Sequence, residues 1–134
     1  MRKITLALLA TTVLAFGHGS VTPQAIDTKN LKPLGAEWLE ENPYKGDEAA
    51  IKLGKYAYSE NCARCHGLDA VSGGIAPDLR ALDDGIDGDE WYMERARGGA
   101  VRNGNVYMPP FPEEIIPNSA LWAIYSWLET IPED

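Results

Sequence analysis

The chain holds two cysteines, Cys62 and Cys65, and the second is followed at once by His66. Two thiols at this spacing lie within about one helical turn of each other, so both can reach the same planar ligand. The adjacent imidazole brings a nitrogen donor to the same place. Cys-x-x-Cys-His is the attachment signature of c-type haem. Each thiol adds to one vinyl group of the porphyrin, and the histidine becomes the first axial ligand of the iron. Covalent attachment keeps a cofactor on a protein that would otherwise lose it by dilution. Two other chemistries use these residue types. A thioredoxin-like redox pair needs a βαβ pattern around the motif, and no run of this chain shows sustained period-two alternation. Half of a zinc site needs two further well-spaced ligands, yet there is no third cysteine and the only other histidine is His18.

The second axial ligand follows by elimination among His18, the methionines and the lysines. Met1 leaves with an export signal. Met93 falls inside a predicted helix, Asp89–Arg97, where a long apolar side chain serves the core. Met108 stands on a loop 42 positions after His66, in Tyr107-Met108-Pro109-Pro110-Phe111. The two prolines after it fix the backbone and can aim the thioether in advance. Met108 is therefore the expected ligand, with Met93 and His18 as the alternatives. Histidine–methionine ligation fills both axial positions, which favours one-electron transfer over substrate chemistry and raises the reduction potential relative to a second histidine. No catalytic acid or base is apparent, so the reading is a carrier and not an enzyme. The rivals are a haem enzyme or gas sensor with an open sixth site, and a binding or redox module without haem.

The elements that must position these residues begin after a targeting segment. Met1-Arg2-Lys3 is basic, Ile4 to Phe16 is an uncharged run, and Gly17, Gly19 and Ser20 are small. This is the order of a cleaved signal peptide, covering residues 1–17 with cleavage within about 17–19. A run of 13 residues is too short to cross a bilayer comfortably as a permanent helix. The expected product is periplasmic, with no stable membrane insertion. Loss of Arg2 and Lys3 takes Lys+Arg from 12 to 10 against 20 Asp+Glu, so the formal charge moves from −8 to −10. Nucleic acid and anionic membrane surfaces repel such a polyanion.

Residues 18–46, with Pro23, Pro33, Pro43 and Gly35, read as an N-terminal arm without long regular structure; Trp38 favours packing of the arm somewhere. The domain proper is expected over 47–134. Asp47 can cap a helix whose face carries Ala50, Leu53, Gly54, Ala57 and Tyr58 and which runs into Cys62. Residues 67–88 form a glycine-rich loop with Pro77. A second helix spans about Gly88 or Asp89 to Arg97 and stops at Gly98-Gly99. Another loop carries Met108. A last helix starts after Pro117, with Asn118 as a plausible cap, on a stripe of Ala120, Ile124, Trp127, Leu128 and Ile131, and ends at Pro132. The fold class is all-α with long loops, which a small domain tolerates only around a filled centre; a single haem supplies it.

These residues resemble the class I c-type cytochromes over nearly the whole mature domain. Gly54-x3-Tyr58-x3-Cys62 is similar to that family's first-helix motif, in which the glycine lets the last helix cross closely, and Ser126-Trp127-Leu128 resembles the aromatic step opposite. Ala76-Pro77-Asp78-Leu79 resembles the segment whose proline carbonyl accepts the proton of the haem histidine; this implies that Pro77 orients His66. The stretches 61–80 and 97–111 and the arm residues Val21 to Ala25 resemble, more narrowly, small periplasmic cytochromes that accept electrons from PQQ-dependent alcohol dehydrogenases. That resemblance implies a quinoprotein donor and a terminal oxidase or another cytochrome as acceptor; a generic periplasmic carrier is the alternative. Arg64, between the thiols, is a candidate docking residue or a solvated one. Arg80 and Arg102 could pair with haem propionates or with local acids. The cluster Asp83, Asp84, Asp87, Asp89, Glu90 and Glu94 reads as a solvated loop and helix start, and its spacing does not fit a calcium loop.

Overall fold

The structure is a computed structural model that describes residues 22–83 and 85–132. The expected signal peptide, its cleavage site, His18 and Asp84 lie outside the described residues. Helix α1 spans Glu48–Asn61 and starts as its cap requires, with Asp47 Oδ1 accepting from the Ala50 amide at 2.9 Å. Its buried face is Ala50, Gly54, Ala57, Tyr58 and Asn61. The turn α2, Ala63–His66, follows at once; α3 covers Ile86–Gly98; strands β1, Ala100–Arg102, and β2, Asn105–Met108, form a hairpin; and α4 is Asn118–Leu128.

The first and last helices cross at Gly54. A β-carbon there would sit 2.9 Å from the Ile124 amide nitrogen and closer still to the Ala123 carbonyl, so only glycine admits this approach. Beside the crossing, the Tyr58 and Trp127 rings meet at 4.6 Å. Helix α3 packs on the other flank of α4, where Tyr92 stacks on Tyr125 at 4.6 Å and its hydroxyl donates to the Leu121 carbonyl at 3.0 Å. It begins earlier than the sequence suggested, at Ile86 after Gly85. Its C-terminus closes at Gly99, whose φ of 71° no β-carbon favours.

Every residue of α4 from Ala120 to Leu128 is buried, although its pattern suggested one apolar stripe. The arm covers the rest. Ile26, Leu31 and Tyr44 are core residues, and Ser119 Oγ donates to Thr28 Oγ1 at 3.0 Å near the start of α4. Near its end, the buried Asn42 side chain donates to Ser126 Oγ and to Glu129 Oε2, each at 2.9 Å. The arm therefore wraps the domain. Trp38, the arm residue expected to pack, is instead 46 % exposed. Asp89 also departs from its solvated reading: it is buried, because the Asn42 amide donates to its Oδ2 at 2.7 Å.

Two further corrections concern the C-terminal half. Pro117 and not Asn118 occupies the cap position of α4; Asn118 is its first residue and accepts from Arg97 at 2.6 Å. The loop before Met108 is a hairpin, pairing Val101 with Val106 and Arg102 with Asn105 about an Asn103-Gly104 turn. Both turn residues have positive φ, 50° and 77°, the conformation that Asn-Gly adopts in a two-residue hairpin.

Candidate functional site

The reactive motif is built by a helix that nearly continues. After α1 the Cys62 carbonyl accepts from the Cys65 and His66 amides at 3.1 and 3.0 Å, coiling the motif into one turn with both sulfurs on it. Gly67, at φ 83°, then reverses the chain, and its carbonyl is held by the Tyr58 hydroxyl at 2.7 Å. Burial, with Cys65 as the second cause, pushes the unreacted Cys62 thiol up to about 12, so it stands as a neutral thiol at physiological pH.

The following loop comes back over His66. The Leu79 amide donates to the Ala70 carbonyl at 3.4 Å, Ser72 Oγ bonds the Ala76 carbonyl, and Asp78 grips Arg80 Nε and Nη2 at 3.1 and 3.0 Å. These bonds present the Pro77 carbonyl to His66 Nδ1 at 2.9 Å. A carbonyl can only accept, so Nδ1 carries the proton and Nε2 keeps the lone pair that ligates a metal. The Arg80 side chain thus meets a local acid, one of its two expected fates.

Met108 stands at the end of β2. It lines the same cavity as Cys62, Cys65, His66 and Pro77, closed in by apolar side chains including Leu79, Phe111, Leu121 and Ile124. The cavity holds about 490 Å³. A packed core of this size leaves no such void, and its volume and apolar walls are those of a cofactor site. The donor set at its surface, two thiols, one imidazole with its Nδ1 proton engaged and one thioether, fits a covalently bound haem. Met93 is 1 % exposed in the core and does not line the cavity, as its helical position suggested. Among the described residues, no three His, Cys, Asp or Glu side chains converge as a protein-only metal site would need.

The family described as cytochrome c oxidase, cbb3-type, subunit III, matches residues 49–128. Cytochrome c550 of Pseudomonas aeruginosa is 54% identical to the chain, over 98% of this chain and 92% of that protein. The chain belongs to the cytochrome c family. It is a c-type cytochrome, an electron-transfer protein with covalently bound haem c, and its Cys62 and Cys65 fit the attachment motif. This cytochrome is also similar to parts of larger proteins. Quinohemoprotein alcohol dehydrogenase ADH-IIG of Pseudomonas putida is 38% identical over 53% of the chain, and the dehydrogenase subunit of alcohol dehydrogenase (quinone) of Gluconobacter oxydans is 40% identical over 65%. The matches cover 9% and 12% of those two proteins. No solved structure gives a significant match. The class I, mainly helical fold stands, with the small hairpin added to it.

Two residues of this cytochrome's cavity had no sequence signal strong enough to single them out. Trp91 and Arg95 line it from α3, with the guanidinium 5.3 Å from the indole centre; their spacing of four on a helix is the one readable hint. Arg102 lies 5.7 Å from the Tyr107 ring on the hairpin, and both line the cavity. Arg64 is exposed. No helix among the described residues is long and apolar enough to cross a membrane.

Proposed function

We propose that this cytochrome is a periplasmic single-haem carrier in which Cys62 and Cys65 form the thioether bonds, His66 and Met108 are the axial ligands, and a PQQ-dependent alcohol dehydrogenase is the electron donor. The observation that carries the ligand assignment is the convergence of all four side chains on one apolar cavity, with His66 already held by the Pro77 carbonyl. When bound, the haem supplies a one-electron ferric/ferrous couple. The chain's own residues do the rest. Pro77 fixes the ring and the tautomer of His66 and makes Nε2 a stronger donor. Pro109 and Pro110 restrict the backbone behind Met108. The apolar walls exclude water and competing ligands, which keeps reorganisation on electron transfer small.

The chain divides into a signal peptide over 1–17, cleaved within about 17–19, an arm over 18–46 and the haem domain over 47–134. Electrons leave to a terminal oxidase or another cytochrome. The donor assignment is supported by the similarity of half or more of the chain to segments of quinone-linked alcohol dehydrogenases. Stopped-flow mixing of the oxidised mature protein with a substrate-reduced, purified PQQ-dependent alcohol dehydrogenase tests it. Rapid, salt-dependent reduction is expected, and no reduction overturns the donor. Met108→Ala tests the ligand: the weak sulfur-to-iron charge-transfer band of the oxidised protein disappears and the reduction potential falls. A band that survives the substitution removes Met108 from the iron.

A further inference from the structure

The segment that follows Met108 is poorly equipped to hold itself. Between Met108 and Asn118 four of nine residues are proline, and each proline removes a backbone donor. The remaining amides make one short turn, Ile115 and Ile116 to the Pro112 carbonyl, and one tie to α3, from Phe111 to the Ala96 carbonyl at 3.1 Å. The carbonyls of Phe111 and Ile116 have to find donors elsewhere, although the side chains of both residues are buried in the cavity wall.

Arg97, in the last turn of α3, supplies them. Its Nη1 donates to the Phe111 carbonyl at 2.5 Å and to the Ile116 carbonyl at 3.0 Å, and Nη2 donates to Asn118 Oδ1 at 2.6 Å. One half-buried guanidinium thus joins the start of the segment, its end and the first residue of α4. The donors are charged, which strengthens each bond, and a planar fork can serve three acceptors in fixed directions where an ammonium cannot. Gly99 completes the fit: it passes so near the Met108–Pro110 backbone that a β-carbon would stand 2.8 Å from the Pro110 nitrogen.

From this geometry we propose that Arg97 is a positioning residue for the sixth ligand, gathering the proline-rich segment so that Met108 stays on the haem. The inference rests on Met108 being that ligand. Arg97 does not itself line the cavity. It acts through Phe111 and Ile116, and losing it lets the segment swing Met108 away more often.

The test is competition by free imidazole for the sixth position of the oxidised holoprotein, followed by loss of the charge-transfer band. An incoming ligand binds only when the methionine has left, so its apparent affinity rises with the fraction of open segment. Arg97→Lys, which keeps the charge and loses the fork, is expected to bind imidazole about tenfold more tightly, or ~1.4 kcal/mol in the opening equilibrium. Asn118→Ala, which removes one of three acceptors and keeps Arg97, is expected to give about a threefold gain, ~0.65 kcal/mol, and serves if the lysine variant does not fold. Unchanged imidazole affinity in the folded variants overturns the proposal, as does a lower urea midpoint with that affinity unmoved, since a merely structural contact would do only that. Wild-type protein without the band, binding imidazole as tightly as Met108→Ala, defeats the ligand assignment itself; a band in wild type with no Arg97 effect defeats Arg97 alone.

Discussion

Gly54→Ala sets two effects of opposite sign against each other. In an exposed helix the change would stabilise, because alanine exceeds glycine in helix propensity by about 1 kcal/mol. Here the new methyl meets the carbonyl of Ala123 and lies 2.9 Å from the Ile124 nitrogen. These are backbone atoms in the middle of α4 and cannot rotate aside, so α1 and α4 must move apart. That separation loosens the contact of Tyr58 with Trp127, now at 4.6 Å. Overpacking of a tight interface costs about 3 kcal/mol at the upper end of its usual range. The net loss is therefore ~2 kcal/mol after the propensity gain is subtracted. With an m value of about 2 kcal/mol/M, the urea midpoint falls by about 1 M. Far-UV circular dichroism of the oxidised holoprotein during urea titration measures it, and an unchanged m value would show that the unfolded state is not responsible. A variant as stable as wild type, or more stable, would mean that propensity wins and that the helices do not meet as closely as described.

Two further perturbations address the arm and the loop over His66. Asn42→Ala removes the side-chain bonds to Ser126, Glu129 and the Tyr44 amide, with an expected loss of about 2–3 kcal/mol and faster amide hydrogen exchange over residues 24–44; unchanged exchange in the arm would contradict its fastening. The Asp78 carboxyl is held well below the usual range, first by the Arg80 side-chain bond and then by the Arg80 amide. Because its folded-state value is depressed, the stability it contributes is present above its unfolded value of about 3.9 and drains away as pH falls below that. Asp78→Asn should therefore be less stable than wild type at neutral pH and show a shallower loss of thermal midpoint below about pH 4; parallel acid profiles would refute the assignment.

Much of the site was legible because its chemistry is local. Cys62, Cys65 and His66 share one helical turn, so their spacing alone implies two thioether bonds and an imidazole on one porphyrin. Asp47, the apolar period of α1 and the Gly98-Gly99 stop are likewise set by interactions within a few residues. The hairpin was harder. Its strands are three and four residues long and largely exposed, so no buried face impressed an alternating pattern, and only Asn103-Gly104 signalled it. Asp89 read as one more acid in a solvated run, because nothing nearby in the chain shows that Asn42, 47 positions earlier, will bury it. Asn118 read as a cap for the same reason: its partner, Arg97, lies 21 positions away.

The residue types in the sequence determined the cofactor and the helices, since each depends on covalent chemistry or short-range periodicity, whereas the close crossing at Gly54 was implied only by the resemblance and is made by residues about 70 positions apart. Tertiary structure alone decided that the arm closes the exposed side of α4 and that Arg97 binds both ends of the methionine segment, and it brought Pro77 and Met108, both already singled out, to one cavity with His66. Those outcomes come from contacts between distant segments, whose partners are selected by the packing of the whole domain and by the need of buried carbonyls and amides to find one another.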